Sequence, residues 1–129
     1  MSNQLEWTLF LDDERSPTPD LGLVEIARDC DEAVALVETL GIPTVISFDH
    51  DLGRIPRSKA AKPVATNFLH WLIEMDLDGK LKLLNVKRVI VHSANFSGAS
   101  NIIGLWDSYA KVIGSEVRAE RRPRRTLID

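Results

Sequence analysis

Short apolar runs alternate with helical patterns along the chain, and this alternation constrains the fold more than any other feature. Apolar runs lie at Trp7 to Leu11, Leu23 to Ala27, Val45 to Phe48 and Val86 to Val91, and a last strand is predicted at Glu116 to Glu120. Strands that alternate with helices form units whose strands run parallel in one sheet. The sequence therefore predicts an α/β fold with an open sheet of about five mostly parallel strands.

Three segments between these runs have helical spacing. Residues 30–41 repeat apolar residues on one face, carry acidic residues in the first turn and stop at Gly41, as an amphipathic helix does. Residues 64–78 and 97–112 repeat apolar residues at the same spacing. We therefore predict three helices, each placed between two strands.

The connection between the first two strands is short. Between the acidic pair after the first strand and the start of the second lies little more than the segment ERSPTPDL, about eight residues, whereas a crossover helix needs about a dozen. An extended chain still spans a short strand at about 3.3 Å per residue. We therefore expect the first helix to be reduced or missing, and the direction of the second strand stays open.

Length and composition bound the class of protein. The 129 residues suit one domain over residues 1–129. The net charge of -3 excludes a strongly basic field for bulk nucleic-acid binding, and the single cysteine excludes an internal disulfide or a Cys-rich zinc site. The sequence has neither a signal-peptide pattern nor an apolar run of about 18 residues, which indicates a cytoplasmic protein.

Polar and ionisable residues directly follow three of the predicted strands. They are Asp12, Asp13 and Glu14 after the first strand, Asp49, His50 and Asp51 after the third, and His92, Ser93 and Asn95 after the fourth. Ligands of open parallel sheets bind beyond the carboxyl ends of the strands. Because buried unpaired charges are costly, we expect these residues to share a solvent-facing rim.

The acidic residues of this rim indicate a metal site. Converging carboxylates repel one another, and a hard divalent cation with oxygen ligands relieves that repulsion. We predict that Asp12, Asp13 and Asp49 bind Mg²⁺ or Mn²⁺. Asp51 either joins them or caps the following loop.

The remaining rim residues suit phosphate chemistry. His50 and His92 titrate near neutral pH and can exchange a proton with an attacking water or a leaving alkoxide. Ser93 offers a hydroxyl to a phosphoryl oxygen. The alternatives are a loop-stabilising role for His50 and a strand-end hydrogen bond for His92. The set predicts a metal-dependent phosphoesterase.

The segments LFLDDE, VISFDHDLG and VIVHSAN, in that order, resemble receiver domains, and closely the branch that processes cyclic phosphates. The resemblance covers nearly the whole chain and implies a receiver-like, flavodoxin-like sheet. In receivers an acidic pair binds Mg²⁺, an Asp after strand three accepts a phosphoryl group, and a Ser or Thr contacts it. The acidic pair corresponds to Asp12 and Asp13, the acceptor to Asp49 and the hydroxyl to Ser93. The branch implies 2′,3′-cyclic phosphates of nucleotides or RNA ends, and thus RNA repair.

Departures from ordinary receivers concern the groups around the acceptor. His50 and His92 flank it, which indicates turnover rather than storage of a phosphoryl group. Receivers carry Lys-Pro after strand five, whereas this chain has Arg122-Pro123, whose guanidinium can bind phosphate through two hydrogen bonds. We assign Arg122 to substrate binding.

Two further residues are assigned to substrate binding. Arg54 opens a basic loop, residues 54–62, that either draws in an anionic substrate or is simply solvated. Asn95 precedes the third helix, where turn and cap chemistry is the alternative. The arginine-rich tail, residues 118–129, either steers RNA or is a solvated terminus. His70 is assigned a structural role, and the tryptophans Trp7, Trp71 and Trp106 are assigned to the core.

Three functions follow from these assignments. The first is a phosphoesterase acting on a nucleotide or RNA-end cyclic phosphate. The alternatives are a stand-alone phosphoacceptor receiver in signalling, with a protein partner, and an inert domain that binds nucleotide or protein. The sequence leaves the oligomeric state open.

Overall fold

The computed structural model describes residues 6–11, 24–49, 64–93 and 96–123. The strands are β1 (Thr8–Leu11), β2 (Val24–Ala27), β3 (Val45–Asp49), β4 (Arg88–Ser93) and β5 (Glu120–Pro123). The helices are α1 (Cys30–Leu40), α2 (Val64–Leu77) and α3 (Phe96–Ile113), and a short 3-10 helix spans Leu83–Asn85.

The five strands form one sheet in the order β2-β1-β3-β4-β5, and each neighbouring pair is parallel. The predicted α/β sheet is confirmed. The second strand, whose direction the sequence left open, runs parallel to β1, with Thr8 beside Val24 and Leu11 beside Ala27. The predicted reduction or loss of the first helix falls on residues 12–23, outside the described residues.

The three described helices lie on one face of the sheet, and the strand order explains why. From β2 to β3, β4 and β5 the chain always moves in the same direction across the sheet, and right-handed crossovers place each intervening helix on the same side. Helix α2 contacts both α1 and α3. The shared core joins alternate strand residues to the helices, and its members include Leu9, Leu11, Ile46, Phe48, Val89, Val91, Val37, Phe68, Leu72, Ile102 and Trp106. Trp7 is also buried there, and Trp71 packs half-buried against it.

Helix α1 begins and ends as the sequence predicts. Asp29 precedes it, and its carboxylate accepts a hydrogen bond from the backbone N–H of Glu32 at 2.9 Å. The Glu32 carboxylate accepts from the backbone N–H of Arg28 at 2.7 Å, so the two acids satisfy free amides at the helix start. Gly41, with a φ of 89°, ends the helix in a conformation that favours glycine.

Asp76 links the C-terminal parts of α2 and α3. Its Oδ1 atom accepts a hydrogen bond from the backbone N–H of Leu83 at 3.1 Å, and its Oδ2 atom accepts one from the Tyr109 hydroxyl. Partial burial, together with this hydrogen bond and the nearby Asp76 charge, raises the pKa of Tyr109 to about 12. One carboxylate therefore links α2, the 3-10 helix and α3.

The last strand lies later in the chain than the sequence indicates. β5 spans Glu120–Pro123, so the fifth strand is confirmed, whereas its predicted bounds, Glu116 to Glu120, are wrong. The preceding segment is bound to α3 instead, since the backbone N–H of Ala119 donates to Oδ1 of Asp107 at 2.9 Å. A side chain of α3 thus binds the backbone directly before β5.

Part of the predicted basic tail belongs to the sheet. Residues Glu120–Pro123 form β5, which is an edge strand among those described. Pro123 suits such a position because proline lacks the N–H that an inner strand needs. Residues 124–129 of the tail lie outside the described residues.

The second face of the sheet, opposite the described helices, carries a buried row of three side chains. Phe10, Ser47 and Ile90 are register neighbours on β1, β3 and β4, with exposed fractions of 5%, 1% and 1%. The Ser47 hydroxyl has no hydrogen-bond partner in the described part of the chain. Burying a hydroxyl without a partner is unfavourable.

We expect Ser47→Ala to leave the free energy of unfolding unchanged or to raise it by up to about 1 kcal/mol, because the lost hydroxyl makes no hydrogen bond. Urea unfolding measures this. Ser115→Ala is the matched control, since that buried serine accepts a hydrogen bond from the backbone N–H of Val117 at 3.1 Å. The control should lose about 1 kcal/mol. Equal losses of unfolding free energy in both variants would contradict the inference that the Ser47 hydroxyl makes no hydrogen bond.

The pKa of Tyr109 gives a second prediction. The chain has one tyrosine, so the ultraviolet absorbance of the phenolate reports Tyr109 alone. Since the folded pKa of about 12 exceeds the unfolded value of about 10, the stabilisation is present below about pH 10 and is lost as the pH rises through the folded pKa. Asp76→Asn should lower the midpoint, and Asp78→Asn, an exposed neighbour, should not. A native midpoint near 10 would contradict the contact.

Candidate functional site

The carboxyl ends of β3, β4 and β5 place three predicted site residues in one row. Asp49 is the register neighbour of His92, and His92 is the register neighbour of Arg122. Adjacent strands lie about 4.8 Å apart, so the row brings the backbones of three distant segments together. One position further, Ser93 lies beside Pro123.

These residues lie within strands rather than after them. The sequence predicts that the third strand stops at Phe48 and the fourth at Val91, whereas β3 includes Asp49 and β4 includes His92 and Ser93. The polar residues therefore extend the ladder at its end. A strand position is better fixed than a loop position, because backbone hydrogen bonds hold it on the sheet.

The β1 side of the row leads to the predicted acidic pair. Leu11, the last residue of β1, is the register neighbour of Phe48, and the next residues along the two chains are Asp12 and Asp49. Asp12 and Asp13 themselves lie outside the described residues. Within the described ranges, no group of three or more acidic, histidine or cysteine residues could hold a metal.

His92 is half-buried and packs against an aromatic ring. Its ring centroid lies 6.2 Å from that of Phe10, with the planes tilted by 47°. Phe10, Ser47 and Ile90 are the buried register neighbours on the second face of the sheet, and His92 is two residues beyond Ile90 on β4. Because strand side chains alternate between faces, His92 lies on this second face.

An ion pair joins β5 to the beginning of β4. Arg88 donates from Nε to Oε2 of Glu120 at 2.7 Å and from Nη2 to Oε1 at 3.1 Å. This two-pronged geometry fixes direction as well as distance, although partial exposure keeps its contribution to stability small. The pair lies on the same strands as His92 and Arg122 and supports the register that joins them.

Most of the other predicted site residues lie outside the described residues. They are His50, Asp51, Arg54 and Asn95, together with Asp12 and Asp13. His70, assigned a structural role, is exposed on α2. Two neighbours of the row, Phe10 and Ser47, were not singled out from the sequence, because each looks like an ordinary strand residue. Only the strand order, which the sequence does not reveal, shows that Phe10 reaches His92.

Comparisons with known proteins identify the family. The family model described as "Cyclic-phosphate processing Receiver domain" matches residues 7–108, which include every predicted site residue except Arg122. No curated protein and no solved structure matches the chain. Among the described residues, no helix is long and apolar enough to cross a membrane. The family match covers most of the chain, and the parallel sheet agrees with the resemblance noted in the sequence: this chain belongs to the cyclic-phosphate processing receiver domain family.

Proposed function

We propose that this chain is a metal-dependent phosphoesterase that opens cyclic phosphates of nucleotides or RNA ends. One observation carries the proposal: Asp49, His92 and Arg122 are consecutive neighbours at the carboxyl ends of three parallel strands. Such strand ends are the common binding crevice of open α/β sheets. Family membership supports the cyclic phosphate as the substrate class.

The proposed reaction is hydrolysis of a cyclic phosphodiester. Oxygen from water bonds to phosphorus, one of the two ring P–O bonds breaks, and the departing sugar oxygen takes a proton. The product is a phosphomonoester with a free hydroxyl. The site must therefore supply a proton-transfer group, a positive charge for the phosphate oxygens and a group that orients the water.

The residues of the row match these three needs. The imidazole of His92 can transfer a proton near neutral pH. The guanidinium of Arg122 suits two parallel hydrogen bonds to phosphate oxygens. Asp49 orients the attacking water. Alternatively its carboxylate attacks phosphorus first, one ring P–O bond breaks to give an aspartyl phosphate, and water then hydrolyses that intermediate to release the phosphomonoester. Ser93, His50, Arg54 and Asn95 stay predicted contributors to phosphate contact, proton transfer and substrate binding.

A divalent cation fits the acidic side of this row. The register of Leu11 with Phe48 precedes Asp12 on one strand and Asp49 on the next, and carboxylate oxygens are the donors that Mg²⁺ prefers. Asp12, Asp13 and Asp49 would hold Mg²⁺ or Mn²⁺. The bound ion would neutralise phosphate oxygens and lower the pKa of water.

We expect the purified chain with Mg²⁺ to convert a nucleoside 2′,3′-cyclic phosphate, or an RNA ending in one, to a phosphomonoester. Phosphorus NMR measures this conversion. Asp49→Asn should lower kcat by roughly 100-fold or more, since a group at the reacting centre is lost. A chelator should remove the activity and added Mg²⁺ restore it.

Asp78→Asn is the control for this experiment, because Asp78 is exposed just beyond the end of α2. It should keep full activity. The absence of turnover on both nucleotide and RNA-end substrates across neutral pH would overturn the proposed function.

A second candidate is a stand-alone receiver whose Asp49 keeps a phosphoryl group. The position of Asp49 as the last residue of β3 is where the resemblance to receivers places the acceptor. A hydrolase should show no lasting adduct after incubation with a small phosphodonor such as acetyl phosphate. Intact-mass measurement tests this.

A persistent single phosphate that Asp49→Asn abolishes would favour signalling over hydrolysis. Tight nucleotide binding with neither turnover nor an adduct would favour the third function, an inert binding domain.

A further inference from the structure

We infer that Phe10 is a positioning residue that orients the His92 imidazole, and that Ser47 is small so that the two rings can meet. The consequence for turnover rests on the proposed function, whereas the orientation itself does not. The contact between Phe10 and His92 joins β1 to β4, two strands that are not neighbours in the sheet.

The distance between the ring centroids requires at least one of the two side chains to lean over β3. Strands β1 and β4 are separated by β3, so their backbones lie about 10 Å apart. The ring centroids are nevertheless only 6.2 Å apart. Such an approach needs free space above β3 on the second face.

Ser47 supplies that space. It is the register neighbour of Phe10 on one side and of Ile90 on the other, so a small side chain lies between two large ones. Its hydroxyl makes no hydrogen bond among the described residues, so hydrogen bonding does not account for a serine here. A branched apolar side chain at this central strand position would fill the space between Phe10 and His92.

Phe10 has the rigidity that an orienting contact needs. It is 5% exposed, so packing holds its ring. The second side-chain torsion of histidine has broad minima, and neighbouring atoms therefore decide which way the imidazole nitrogens point. The separation of 6.2 Å lies within the range of interacting aromatic pairs.

The test combines histidine NMR with kinetics on the full chain. The protein has three histidines, and His92→Gln assigns the His92 ring signals. We expect nuclear Overhauser contacts between those signals and the Phe10 ring. Phe10→Leu should shift the His92 ring signals, leave those of His70 unchanged and lower kcat by roughly 10-fold to 100-fold, with KM nearly unchanged.

Phe68→Leu is the matched control, because Phe68 is also a buried phenylalanine but lies in the helix-side core, 5.8 Å from the Trp71 ring. It should leave the His92 signals and kcat unchanged. If Phe10→Leu does the same, or if Phe68→Leu shifts the His92 signals equally, Phe10 does not orient His92.

Substitutions of Ser47 test the spacing. Ser47→Ala preserves a small side chain and should keep both the His92 signals and kcat. Ser47→Ile should shift the His92 signals and reduce kcat. If that variant does not fold, Ser47→Val is used in its place. Unchanged His92 signals in the larger variant would overturn the role of Ser47. If the wild-type protein shows no turnover, the proposed function fails, and the NMR comparison alone still decides whether Phe10 orients His92.

Discussion

The backbone ladder that aligns β3, β4 and β5 is the interaction on which the candidate site depends. It places Asp49, His92 and Arg122 side by side although they are far apart in sequence. A slip of one residue would turn the side chains of the slipped strand to the other face. The apolar core on the helix face opposes such a slip, because it would expose residues such as Phe48 and Val91. The residues that stabilise the fold thus also determine which polar residues meet.

The sequence predicts the fold well because its signals are local and periodic. Acidic residues at the start of α1 and Gly41 at its end define that helix before any tertiary contact is known. The bounds of the last strand are not predicted, and there a side chain distant in sequence binds the segment before the strand. The Asp107 carboxylate binds the amide of Ala119, and no local pattern around Glu116 reveals that partner on α3.

In the candidate site, too, local patterns could be predicted and contacts between distant residues could not. The grouping of Asp49, His92 and Ser93 could be predicted because parallel strands end at the same edge of a sheet. The neighbourhood of His92 could not, since the contact with Phe10 depends on the spatial order of the strands and on the size of the residue between them. Apolar alternation assigns Phe10 to a strand but does not tell which distant residue it touches.

The proline that ends β5 has a consequence for association between molecules. An exposed edge strand is a template on which another chain can add a strand, and such addition next to Arg122 would cover the end of the row. Pro123 has no backbone N–H that could donate a hydrogen bond to an added strand. Strand addition is therefore disfavoured at this position of β5.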